Sequence, residues 1–131
     1  MTPGLDTSVV IRLLVGEPAH QAAVARRALE GQPRGSVAVS DLVVGESYFA
    51  LRHHYGVPHG RAVAALAALL ADARIRSPGV ARQVLAKMSD RDSGPGLMDR
   101  LIHAGYQQDD VALLTFDRIA ARLPGAQLLS R

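Results

Sequence analysis

The 131-residue chain has no cysteine, which excludes disulfides and thiolate metal sites and fits a reducing cytoplasm. It lacks the roughly 18–20 uninterrupted apolar residues that a membrane span needs. Ala62 to Ala73, the nearest candidate, is too short and too rich in alanine. No basic segment leading into an apolar one opens the chain, so no secretory signal is expected. Internal repeats, low-complexity tracts and linkers are also missing. Residues 1–131 therefore read as one domain, large enough to bury a core and held by packing alone. Lysine is nearly absent: of 15 basic residues, all but Lys87 are arginine.

What remains is 48% hydrophobic and 21% charged, a globular composition with a net charge of +3. Arginine's planar fork suits phosphate oxygens better than lysine's point charge, although GC-rich coding produces the same bias. The exterior is compatible with a polyanion. Arg74, Arg76, Arg82, Lys87 and Arg91 crowd one segment, broken at Pro78-Gly79 and at Ser93 to Gly96, and are expected to form a basic rim.

Short apolar runs alternate with helical patterns. Gly4-Leu5-Asp6 reads as a strand edge, and Ser8 to Leu14 as an apolar turn or short helix. A helix near Pro18 runs to Leu29 and stops at Gly31-Gln32-Pro33. Val37 to Val39 is a buried strand, and Ser40 or Asp41 caps a helix reaching His54. Helices are expected over Arg61–Ala73, Val80–Met88, Leu97–Tyr106 and Arg118–Leu123, and strands over Val111–Leu114 and Gln127–Leu129. This order implies an α/β fold, with a short parallel sheet covered by helices on both faces. In such sheets ligands collect at the carboxyl ends of the strands.

Four acidic residues stand where apolar ones are expected: Asp6, Glu46, Asp99 and Asp117. At about 100° per residue, Leu42, Val43, Phe49 and Ala50 lie within roughly 60° of Glu46, which places it in an apolar stripe. That helix is expected to be buried on two faces. A carboxylate stranded in low dielectric costs several kcal/mol unless neutralised, and a divalent metal would neutralise several at once. Each acid alone has a simpler reading: Asp6 as a turn residue, Asp99 as a first-turn helix acid, Asp117 as a cap, Glu46 as a partner of Arg52.

Together the segments resemble the motifs of PIN-domain nucleases. Leu5-Asp6-Thr7-Ser8-Val9-Val10 is similar to the opening motif, Ser40 to Glu46 to the second, Asp99 to Ala104 to the third, and Leu114 to Arg118 to the fourth. The similarity spans essentially the whole chain, and length and spacing fit the VapC toxins of bacterial toxin–antitoxin pairs. Ile119 departs from it, standing where many relatives carry a further aspartate, and Gly96-Leu97-Met98 replaces the usual lead-in to the third motif. The resemblance implies a three-layer α/β/α fold and a cytoplasmic endoribonuclease using Mg²⁺ or Mn²⁺. It also implies a homodimer held inactive by a cognate antitoxin.

Hard cations take oxygen ligands, so Asp6 and Asp99, with Asp117 and Glu46, are the expected metal-holding and catalytic residues. Thr7, Ser8 and Thr115 are expected to position water or a phosphate oxygen. The histidines show no paired placement for metal-free attack by a ribose hydroxyl. An antitoxin helix is expected between residues 8–29 and 42–70, against Leu13, Leu14, Val43 and Leu66. Two competing classes are a metal- or RNA-binding module without catalysis and an aspartate-nucleophile phosphatase. The second generally needs an aspartate two residues after the first, where Ser8 stands, and a lysine.

Overall fold

The computed structural model describes residues 1–130. Helix α1 (Thr7–Val15) starts at Asp6, whose carboxylate accepts the Val9 amide at 3.2 Å. It ends at Gly16, whose φ of 80° lets its amide close onto the Arg12 carbonyl; glycine takes this left-handed conformation without steric penalty. Helix α2 (Ala19–Leu29) follows Pro18. Strand β1 (Val37–Ala38) leads into α3 (Asp41–His53), capped by the Ser40 hydroxyl accepting the Val43 amide. Then come α4 (His59–Ala71), β2 (Ile75–Arg76), α5 (Ala81–Lys87) and α6 (Leu97–Gln108). Strand β3 (Leu114–Thr115), a 3₁₀ turn (Ala120–Arg122) and β4 (Gln127–Leu128) complete the described chain.

The architecture is α/β/α, with helices layered about short parallel strands. The strands fall into two groups. In one, Val37 and Ala38 pair in parallel with Ile75 and Arg76, and Gly4 bridges to the other edge of Ala38. In the other, Leu114 and Thr115 pair with Gln127 and Leu128. The core sits around the first group, where Val10, Val37, Val39, Val44, Leu66 and Leu70 are buried. The second group is more open; Phe116, next to β3, is 71% exposed.

Strand β2 was not legible as a strand, and the helix expected over Arg61–Ala73 ends at Ala71 instead. Asp72 turns the chain there: its carboxylate takes the Arg74 amide and guanidinium at 2.7–3.0 Å. Only then does Ile75 enter the core. The strand expected from Val111 begins at Leu114. A reversal at Asp109–Asp110, where Asp110 has φ 58° and Val111 bonds back to Tyr106, delays it. The helix expected over Arg118–Leu123 is one 3₁₀ turn.

Candidate active site

Asp6 lies between Gly4 and α1; the strand edge expected over Gly4-Leu5-Asp6 is a single parallel bridge from Gly4 to Ala38. Its carboxylate is exposed and accepts the Ser8 hydroxyl at 2.6 Å and the Val9 amide at 3.2 Å. The Ser8 hydroxyl first, and then the Val9 amide, hold the Asp6 carboxyl below the usual carboxylate range. It is therefore an anion at neutral pH.

Glu46 sits mid-way along α3, and the Thr7 hydroxyl donates to its Oε1 at 3.0 Å. The first two acidic segments are thereby joined side chain to side chain. The surroundings differ from the sequence expectation. The buried face of α3 carries Val44, Gly45, Ser47 and Leu51, whereas Leu42 is 71% and Phe49 56% exposed. Glu46 shares that outward face. Leu42 and Phe49 point away from the core, and Val43 and Ala50 are only half-buried against it, because Val44 and Leu51 already fill the interior against α1 and α4. Arg52 does not pair with Glu46; it bonds Asp92 at 2.6 Å.

Asp99 lies half-buried in the first turn of α6, where the helix N-terminus favours a carboxylate. Gly45, next to Glu46, brings this helix close. A Cβ at Gly45 would meet Met98 Cε at 3.2 Å and crowd its sulfur more closely still. Asp99 thus belongs to a helix packed directly on the segment that carries Glu46.

Asp117 is placed differently. Its exposed carboxylate caps the 3₁₀ turn, accepting the Ile119 amide at 2.7 Å and the Ala120 amide at 3.2 Å. Its own amide donates to Thr115 Oγ1 at 2.9 Å. Among the described residues, no three His, Asp or Glu side chains converge into a group that holds a metal ion. The four acids are not gathered into one cluster, and none is fully buried. None of them carries the desolvation cost of a stranded buried acid: Asp6, Glu46 and Asp117 are exposed, and Asp99 is half-buried.

The donor set nonetheless suits a hard cation. Mg²⁺ is commonly held by one or two carboxylates with several waters retained. Asp6, Glu46 and Asp99 lie on adjoining elements and offer only oxygen. The hydroxyls assigned to substrate have another duty here. The Thr7 and Ser8 hydroxyls donate hydrogen bonds to Glu46 and Asp6, and so orient the carboxylates.

Other expectations change as well. Arg82 donates to the Leu70 carbonyl at 2.6 Å and the Ile75 carbonyl at 3.4 Å, and Arg74 to Asp72 and the Leu29 carbonyl. Both arginines tie loops together rather than lining a free basic rim. Of the residues expected to meet an antitoxin helix, Leu66 is fully buried, while Leu13, Leu14 and Val43 are half-buried against the core. An open apolar groove lies instead between α1 and α2, at Val9, Val24, Ala25 and Ala28, with Arg12 at its edge. His59 and His103 are buried, and each bonds a backbone carbonyl.

The family model described as the PIN domain matches residues 5–126. No curated protein matches the chain. Among solved structures it is similar to Mycobacterium tuberculosis VapC20, titled a sarcin-ricin loop cleaving toxin. The identity there is 22%, over 97% of this chain and 98% of that one, with a TM-score of 0.44. No helix among the described residues is long and apolar enough to cross a membrane.

Proposed function

The chain belongs to the PIN domain family, and from that premise we propose that it is a metal-dependent endoribonuclease, the toxin of a toxin–antitoxin pair. The observation that carries this reading is the Thr7–Glu46 bond. It joins the first two acidic motifs, while Asp99 stands on the helix packed against Gly45. Motif spacing over the whole chain supports the toxin assignment.

Asp6, Asp99 and Glu46 would hold Mg²⁺ or Mn²⁺, and Asp117, which caps the 3₁₀ turn apart from them, would join only through a bridging water. When bound, the cation supplies a water of lowered pKa and positive charge against the phosphate oxygens. The residues do the rest. Ser8 and the Val9 amide keep Asp6 ionised and aimed. Thr7 fixes Glu46 Oε1, leaving the other carboxylate oxygen to orient a water for in-line attack. RNA is the substrate class by motif, and the arginine-rich exterior supplies phosphate contacts.

The antitoxin occupies the α1–α2 groove in this reading, its apolar helix face on Val9 and Val24. The exposed apolar residues of α3 and α6, Leu42, Phe49, Met98, Ile102 and Tyr106, form the face for a second copy. The protein acts in the cytoplasm, where RNA and antitoxin are both available.

The test is cleavage of RNA by purified protein with Mg²⁺ or Mn²⁺, with and without EDTA, beside Asp6→Asn. We expect cleavage that EDTA and the substitution each abolish, with unchanged circular dichroism for the variant. RNA left intact by metal-loaded wild type would end the nuclease reading in favour of a binding module. Full cleavage in EDTA would end the metal reading alone. Co-purification of the small protein encoded beside this one, and restored growth on its co-expression, support the toxin assignment; failure of both removes it.

A further inference from the structure

The nine residues between α5 and α6 carry Gly94 and Gly96, yet they are tied down at three points. His59 at the start of α4 is 6% exposed. Its Nε2 lies 3.0 Å from the Ser89 carbonyl, so Nε2 carries the proton and donates. Its Nδ1, 2.6 Å from the Tyr48 hydroxyl, then accepts the phenol proton. Arg52, one turn beyond Tyr48 on α3, bonds Asp92 at 2.6 Å. Gly60 abuts Asp90 so closely that a Cβ would come within 3.2 Å of the Asp90 carbonyl oxygen. Beyond these ties Pro95 is buried, its carbonyl accepting Arg100 Nε at 2.8 Å, and α6 begins with Asp99 in its first turn.

The same helix, α3, therefore carries Glu46 and, two and six residues later, the anchors for the loop that delivers Asp99. We propose that Tyr48, His59, Arg52 and Asp92 form a clasp that positions the first turn of α6, and through it Asp99, against Glu46. This rests on the metal-nuclease reading only in assigning Asp99 a role at the site. None of the four touches the reacting groups; they are positioning residues. A loop with two glycines fixes its far end poorly by itself, since each free residue adds about 1–2 kcal/mol of backbone entropy to be overcome. Two charged or buried hydrogen-bonded ties and a glycine contact hold it instead. Removing the Tyr48 hydroxyl leaves a buried imidazole nitrogen without its donor, and the penalty falls on the loop.

Hydrogen exchange and Mn²⁺ binding on the full chain separate this role from general stability. Tyr48→Phe is expected to speed amide exchange at residues 100–102, the first amides bonded within α6, about tenfold, with α2 unchanged. It is expected to weaken Mn²⁺ binding, read by titration calorimetry, by a similar factor. Asp92→Arg is expected to do the same, and the exchanged pair Arg52→Asp with Asp92→Arg to recover most of both losses. Unchanged exchange at 100–102 in both single variants overturns the clasp. Faster exchange with unaltered Mn²⁺ affinity overturns its link to Asp99. If wild type binds no Mn²⁺, the metal reading fails, and the exchange pattern alone decides the clasp.

Discussion

The Thr7 hydroxyl donates to Glu46 Oε1 at 3.0 Å, joining residues 39 positions apart at the end of α1 nearest Asp6. Glu46 has few other restraints on its outward-facing carboxylate. Thr7→Val keeps the side-chain volume and removes the donor. It is expected to lower RNA cleavage about tenfold, the effect of losing one orienting hydrogen bond to a charged group. Thr7→Ser should retain most activity. Equal rates for wild type and Thr7→Val would show that Glu46 needs no such support.

Much of this arrangement was legible in the sequence. Asp6 before an apolar run, Ser40 before α3 and Asp99 at the opening of α6 are local signals, and local signals placed the helices. Which face of α3 turns inward was not legible. Leu42 and Phe49 look like core by periodicity, but Val44, Ser47 and Leu51 win the interior because α1 and α4 meet that side. The roles of Arg52, Arg74 and Arg82 were likewise hidden. Each bonds a partner that only the turns at Asp72, Val57 and Asp92 bring near.

Asp41 shows the same limit and gives a stability prediction. It looked like a cap for its own helix, yet its two oxygens accept the Val80 and Ala81 amides at 3.0 and 2.9 Å, capping α5 from across the fold. Gly79 makes room: a Cβ there would lie 2.2–2.6 Å from the Asp41 carboxylate. Gly79→Ala is expected to destabilise by roughly 1–3 kcal/mol, because Asp41 must leave two amides unpaired. Gly45→Ala crowds the flexible, partly exposed Met98 side chain and meets Leu101 Cδ1 at an ordinary 3.6 Å. Alanine's helix preference, about 0.5–1 kcal/mol, offsets that crowding, so its net change should be small. Urea melts of both variants check the ranking.

Asp72 sets a pH dependence. The Arg74 guanidinium, together with the Arg74 amide, draws its carboxyl down from 3.8 to about 2. A depressed folded-state value means that the stabilisation is complete above the unfolded value. It fades as pH falls from about 4 towards 2. Both side chains are about one-third exposed, so solvent screening limits the effect to roughly 1 kcal/mol or less. Asp72→Asn should be less stable than wild type at pH 6 and indistinguishable from it near pH 2. A difference that persists at low pH would trace to packing at the turn rather than to charge.

Arg82 and Lys87 both sit on α5, but they carry different expectations. The Arg82 guanidinium is committed to the Leu70 and Ile75 carbonyls, which closes the turn between α4 and β2. Lys87 is exposed and lines a groove with Arg100 and Gln107, on the helix that carries Asp99. A phosphate bound there would be paired with a solvated cation that binding need not pull from a protein partner. Lys87→Ala should therefore weaken RNA binding and lower the salt slope by about one, with thermal stability unchanged. Arg82→Ala should do the reverse, lowering stability by about 1 kcal/mol as part-buried carbonyls lose their donor, while the slope stays put. Filter binding across a salt series, beside melts of the same preparations, distinguishes the two. A reduced slope for Arg82→Ala with an unshifted melt would return that arginine to the RNA path.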